Sequence, residues 1–356
     1  MTSHAPWTPS RVFIHYPAGV RSGGPEALHQ LCEAVQAAGV EARLVPLDWR
    51  PGGQDVSEYD AYGCQVAASV PDEPDVAVVV PDVALSYTAR YRSARPVVWW
   101  LSIDFSELYG PRMARERHEV SWGGTAVRTL RTLSPRHPER RTKKLHALLA
   151  HASHCAQSEY ARRYLADHEG LDPSLLTDYV HLDERHQHND EGTDQHVRLP
   201  RSVAYNPAKG ERYLKALRAL TPDVTWRPIS GLDRQQVGEV LSTSEAYIDL
   251  GHHPGKDRIP REAALAGCVV LVGDRGSGAL AEDVPVHDAL RIPVSDDPAA
   301  VASRARAVLG KVLDAPQRWR DGQAGYRTWI RAEEERFRAE VRRVFVDGDL
   351  VPPRGH

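Results

Sequence analysis

Three loops in this sequence carry residue types able to hold a polyphosphate. Asn206-Pro207-Ala208-Lys209-Gly210 sets a lysine between an apolar run and a helical pattern. An ammonium there can neutralise a diphosphate, and Gly210 lets a ligand approach the backbone. The densest loop runs from Asp249 to Cys268 and includes His252, His253, Lys256, Arg258, Arg261 and Glu262. Its lysine and arginines suit phosphate oxygens, while a carboxylate at a helix start can accept from a ribose diol. Arg21-Ser22-Gly23-Gly24 offers backbone N–H groups before a helix, although with Pro25 it also reads as a plain turn. The full G-x-G-x-x-G and G-x-x-x-x-G-K patterns are missing there, which argues against a dinucleotide oxidoreductase or a P-loop enzyme.

A fourth candidate is Asp104, after Trp99-Trp100-Leu101-Ser102-Ile103. At the carboxyl edge of a sheet its carboxylate could orient an acceptor or take its proton; the same residue could start a helix as an N-cap. Trp99 and Trp100 are read as packing residues or as a stacking surface for a ring. His181, His186, His188 and His196 fall in a polar stretch where histidines stay solvated, so no metal site is expected. Asp347-Gly348-Asp349 matches Asp-x-Asp, but lies in the tail, outside any α/β core.

These loops need elements to position them. Arg11–His15, Ala42–Pro46, Val76–Val80 and Val97–Ile103 read as buried strands, with a helix through Ala27, Leu28, Leu31 and Val35 closed by Gly39. After the basic stretch Arg128–Lys144 come a short strand at His154–Ser158 and a helix at Glu159–His168. His181 to Pro200 has no apolar period and reads as a solvated linker. The alternation restarts with strands at Val203–Tyr205, Thr225–Pro228, Ala246–Leu250 and Val269–Val272, and helices from Gly210 to Leu220, around Gln235–Leu241 and at Pro260–Ala266. Ala315 to Val346 is a long charged amphipathic helical stretch. Continuous apolar strands alternating with helices indicate parallel sheets covered on both faces. The expected fold class is α/β, with two Rossmann-like domains facing a cleft and a C-terminal helix. The expected boundaries are 1–185, a linker at 186–200, 201–314, and a helical segment at 315–356 that crosses back to the first domain.

The 356 residues suffice for about two domains. With 45 Lys+Arg against 48 Asp+Glu, there is no basic field for nucleic acid. Cys32, Cys64, Cys155 and Cys268 form no C-x-x-C pair, which fits a reducing cytoplasm. No apolar run reaches the ~20 residues needed to span a bilayer. Lysine is scarce beside arginine, which makes Lys209 and Lys256 more informative.

Ser22-Gly23-Gly24, Gln157-Ser158-Glu159-Tyr160, Lys209-Gly210 and Glu262-Ala263-Ala264-Leu265-Ala266-Gly267, in this order, resemble the GT-B glycosyltransferases. The pattern is most similar to the retaining "glycosyl transferases group 1" family. That resemblance implies that Lys209 contacts a donor diphosphate, Glu262 the donor ribose, and Gly23 and Gly24 the sugar and phosphates. Gly276-Ser277-Gly278 resembles the family's later glycine pair beside the nucleotide. Three departures mark a divergent subgroup: Pro254 stands where the family has its first glutamate, no arginine precedes Lys209-Gly210, and Asp104 follows the strand after which a histidine is usual.

The function expected is metal-independent transfer of a hexose-like sugar from a UDP- or GDP-type nucleoside diphosphate sugar to a hydroxyl-bearing glycan, natural product or other small molecule, without a separate cofactor. Asp104, Lys209 and Lys256 are the expected catalytic groups. Ser22, Gly23, Gly24, Asn206, Lys209, Gly210, His253, Arg258, Glu262, Gly276 and Ser277 are the expected donor contacts. Two competing readings are a nucleotide-sugar epimerase, which would convert donor without an acceptor, and a silent sugar-nucleotide-binding protein, which would bind without turnover.

Overall fold

β-branched and apolar runs become the strands of two separate parallel sheets. The computed structural model describes residues 7–48, 57–110, 138–182 and 197–350; most of the predicted linker, with His186, His188 and His196, lies outside them, as does most of Arg128–Lys144. Of the described residues, 7–179 and 335–350 form one unit and 180–334 a second.

The first sheet contains β1 (Arg11–Tyr16), β2 (Glu41–Pro46), β3 (Val76–Pro81), β4 (Arg95–Trp100), β5 (Ser153–Ala156) and β6 (Ser174–Leu175). Their spatial order is β2-β1-β3-β4-β5-β6, and every neighbouring pair is parallel. The second sheet has the order β11-β10-β9-β7-β8, also parallel throughout, from β7 (Ser202–Tyr205), β8 (Thr225–Pro228), β9 (Ala246–Asp249), β10 (Val269–Gly273) and β11 (Arg291–Ile292). The expected α/β class with two Rossmann-like units is the one observed. In each sheet the strand order reverses once, between β1 and β3 and between β7 and β9, and ligands of such sheets bind beyond the carboxyl ends at these switch points.

Helices α1 (Gly23–Ala37), α2 (Pro138–Leu149) and α3 (Glu159–Glu169) belong to the first unit. α4 (Glu211–Leu220), α5 (Arg234–Ser242), α6 (Arg258–Leu265), α7 (Pro298–Asp314), α8 (Pro316–Gly322) and α9 (Ala324–Arg331) belong to the second. The tail read as one helical stretch is three helices, α8, α9 and α10 (Glu333–Phe345), interrupted at Gln323 and Ala332. Phe337, Val341, Val344 and Phe345 of α10 recur at helical spacing and pack in the first unit's core with Val12, Ile14, Val79 and Trp99.

The strand expected at Val97–Ile103 ends at Trp100, and Ile103 opens a short 3₁₀ turn. Trp99 and Trp100 are wholly buried. The Trp99 indole donates to the Leu176 carbonyl at 2.8 Å and stacks on Phe337; that of Trp100 donates to His154 Nδ1 at 3.1 Å. Neither offers a surface to a ligand, so packing is their role. Among the described residues no helix is long and apolar enough to cross a membrane.

Candidate functional site

β7 and β9 are neighbours at the second switch point, so the turns that follow them meet. The turn after β7 is shaped locally: Asn206 Oδ1 accepts from Ala208 N at 2.9 Å, and Lys209 N donates to the Asn206 carbonyl at 3.1 Å. Gly210 then precedes α4 with a φ of 62°, and a Cβ there would stand 2.7 Å from Gly251 N. Only glycine fits both the left-handed conformation and the closeness of the turn after β9. That closeness delivers Lys209, a quarter exposed, to Asp249 at the end of β9.

The lysine does not stand alone. Its Nζ contacts Asp257 Oδ2 and lies 3.8 Å from Asp249 Oδ2. His253, with no exposed surface, sits between the same carboxylates, with Nδ1 2.9 Å from Asp257 Oδ2 and Nε2 3.7 Å from Asp249 Oδ1. Burial opposes the charge on both cations, yet the two carboxylates outweigh it and raise the pKa of Lys209 and of His253. Burial likewise opposes ionisation of Asp257, but Lys209 and His253 prevail and hold its carboxyl below the usual range. The Tyr247 hydroxyl, 3.4 Å from Asp249 Oδ2, is kept neutral by burial and by that carboxylate. Asp249, His253 and Asp257 bring three ligand atoms within 4.8 Å of one another, a span that suits a divalent ion. The ammonium already stands against the two carboxylates, so the arrangement is an ion-pair network with lysine in the cation's place.

The Asp249–Cys268 segment is fixed from two sides. His253 pairs in parallel with Gly276, whose φ of 61° and closeness to the His253 carbonyl, 2.0 Å from an added Cβ, demand glycine. Ser277 Oγ donates to the Gly255 carbonyl at 2.5 Å. Gly276 and Ser277, expected beside the nucleotide, thus hold the loop that carries His253. On the other side Arg261 donates to the carbonyls of Lys256 at 2.8 Å and Asp257 at 3.2 Å, and pairs with Glu333 at 2.8 Å. Lys256, expected at the phosphates, is directed elsewhere: its side chain is 3% exposed, 3.0 Å from Glu333 Oε1 and 4.7 Å from the Trp329 ring centre. It serves there as the second counterion of a buried carboxylate. Arg258 and Glu262 form an i, i+4 pair at 3.4 Å on α6, both partly exposed.

In the first unit, Ser22 precedes α1 without capping it by its side chain. The Tyr59 hydroxyl grips its backbone at both ends, accepting from Ser22 N at 3.2 Å and donating to Ser22 O at 3.1 Å, beside an Arg21–Glu58 ion pair at 2.8 Å. Gly23 and Gly24 open the helix. Asp104 lies within the 3₁₀ turn Ile103–Phe105, almost fully buried, where its Oδ1 accepts from the Tyr160 hydroxyl at 3.4 Å. Ser102, not Asp104, occupies the N-cap position. Asp347 and Asp349 stay in the tail, the latter 3.4 Å from Arg343.

Sequence reasoning named the cations of this site and overlooked its anions. Asp249 and Asp257 bracket His253 at four-residue intervals, a visible signal. Glu333 gave none, since 72 residues separate it from Arg261.

No protein-family model matches the sequence, and no curated protein matches it. Solved structures do. Sucrose-phosphate synthase from Thermosynechococcus elongatus is 13% identical, with a TM-score of 0.59 over 95% of this chain and 98% of that one. A trehalose-6-phosphate protein from E. coli, solved with UDP-2-fluoro glucose, is 10% identical, with a TM-score of 0.58 over 96% and 100%. The pneumococcal O-GlcNAc transferase GtfA, solved with UDP and GlcNAc, is 8% identical, with a TM-score of 0.56 over 97% and 99%. The likeness runs along nearly the whole chain and fixes the fold.

Proposed function

Starting from a chain with the GT-B fold, we propose a glycosyltransferase that moves a sugar from a nucleoside diphosphate sugar to a hydroxyl-bearing acceptor. The observation that carries this reading is the Lys209 ammonium at the β7/β9 switch point, partly exposed and kept charged by Asp249 and Asp257. Transfer breaks the bond between the sugar's anomeric carbon and the diphosphate, and the acceptor oxygen takes the diphosphate's place. Negative charge grows on the departing diphosphate, and a fixed cation aimed at it lowers the barrier. In this reading Lys209 leaves Asp257 for that diphosphate, supplying the charge a divalent ion would otherwise bring. Glu262 accepts from the ribose diol, and its pairing with Arg258 orients it. Asp104 in the first unit receives the acceptor's proton, steadied by Tyr160. The two neighbours solved with UDP make uridine the first base to test.

The test is a screen of UDP- and GDP-sugars against a broad acceptor panel, with products weighed by mass spectrometry. A product heavier than its acceptor by one sugar supports the reading, and so does slow donor hydrolysis that depends on Lys209. Conversion of the donor alone into another sugar nucleotide indicates an epimerase. Donor binding without turnover on any acceptor indicates a silent binding protein.

A further inference from the structure

His253, a member of the Lys209 network, cannot itself reach a ligand, because it has no exposed surface. It faces Asp249 at the end of β9, Asp257 before α6 and Lys209 after β7. The Arg275–Gly278 segment ties its backbone: His253 N donates to the Arg275 carbonyl at 3.3 Å and its own carbonyl accepts from Ser277 N at 2.9 Å. A Cβ on Gly278 would lie 2.9 Å from its ring, so the imidazole has no room to turn away. The Tyr247 hydroxyl, against Asp249, is neutral.

One buried carboxylate, Asp249, and one partly buried, Asp257, therefore share two cations. Any ligand that draws Lys209 away from Asp257 leaves His253 as the cation facing both carboxylates, with Gly251 N at 2.9 Å and the Tyr247 hydroxyl at 3.4 Å as neutral donors to Asp249. A neutral imidazole would then leave the buried charge of Asp249 and the partly buried one of Asp257 without a cation, a costly state; an imidazolium, with Nδ1 on Asp257 and Nε2 toward Asp249, balances them. We infer that His253 is a positioning residue whose proton is required for diphosphate binding: as imidazolium it retains Asp257 and Asp249 while Lys209 turns to the phosphates. This rests on the reading of Lys209 as the diphosphate ligand. Binding is accordingly linked to proton uptake. Where His253 is already protonated in the free chain, affinity is flat with pH; above its free-state pKa, one proton must be taken up and affinity falls ~tenfold per pH unit.

The experiment is calorimetric titration of the full chain with UDP, and with GDP and ADP in parallel, from about pH 7 to about pH 9.5, where the diphosphate's own ionisation is complete. Repeating it in buffers of different ionisation heat counts the protons taken up. The expected result is an affinity that declines with rising pH, with uptake approaching one proton per diphosphate. His253→Asn should bind UDP at least ~10-fold more weakly at pH 7, with the decline and the uptake both gone. Asp257→Asn removes one of the two anions and should reduce the uptake, which a merely structural role for His253 would not produce. If His253→Asn fails to fold, the wild-type proton count and Asp257→Asn decide. Flat wild-type affinity with no uptake overturns the inference and leaves the Lys209 reading standing. Failure of the wild type to bind any of the three nucleotides overturns both.

Discussion

At the residue scale, the assigned groups separate by what each removal should change. Lys209→Ala takes away charge aimed at the leaving diphosphate, so turnover should drop ~10²-fold or more, with far-ultraviolet circular dichroism unchanged. Unchanged turnover would take Lys209 out of the site. Glu262→Gln removes a ribose contact made equally before and during reaction, so donor KM should rise while kcat holds. Asp104 belongs to the other unit. Asp104→Asn should abolish transfer and leave UDP affinity within about twofold, because every proposed nucleotide contact of Lys209 and Glu262 is untouched. A variant that transfers normally would assign Asp104 to the Tyr160 hydrogen bond alone.

At the element scale, the position of the site follows from sheet order. The two strand ends that converge, β7 and β9, are those on which sequence reasoning had set its lysine and its charged loop. These were legible because Val203–Tyr205, Ala246–Leu250 and Val269–Val272 are short, largely apolar runs with turn residues after them. β6 and β11, two residues each, carry no period to read. Asp249 and Asp257 were passed over because reasoning from a phosphate looks for positive groups, whereas a partly buried lysine equally needs anions to keep it charged. Lys256 misled for a related reason: a lysine in a loop reads as available until its partner is known, and Glu333 comes from the start of α10. Glu333→Gln should leave Lys256 and Arg261 buried beside a neutral amide. The expected loss is about 3–5 kcal/mol of stability by chemical denaturation, without any direct loss of a proposed substrate contact. A loss below 1 kcal/mol would mean that water relieves the pair.

At the scale of the whole molecule, the two units should answer acid in opposite directions. His15, at the end of β1, is buried with Nε2 2.5 Å from the Tyr91 hydroxyl, and burial lowers its pKa to about 4. A histidine kept neutral in the fold but free to charge on unfolding takes stability away from the first unit as pH falls below 6.5. For His253 the sign is reversed. Its folded pKa is raised, so its contribution is absent above that value, grows as pH falls through it, and is complete below 6.5. Scanning calorimetry from about pH 8 to about pH 5 should show the second unit's transition rising while the first's declines. His15→Gln should flatten the decline and leave the rise. The return of α10 to the first unit also dictates an order of events at the ribosome. Phe337, Val341, Val344 and Phe345 complete the core that begins with Val12 and Ile14, but they are made only after residues 180–334, a stretch that takes roughly 8–30 s to translate. Throughout that interval the nascent first unit has an unfilled apolar face, and by its end the second has all of its chain. The unit synthesised first is therefore the one finished last, and the one whose exposed face a chaperone would meet.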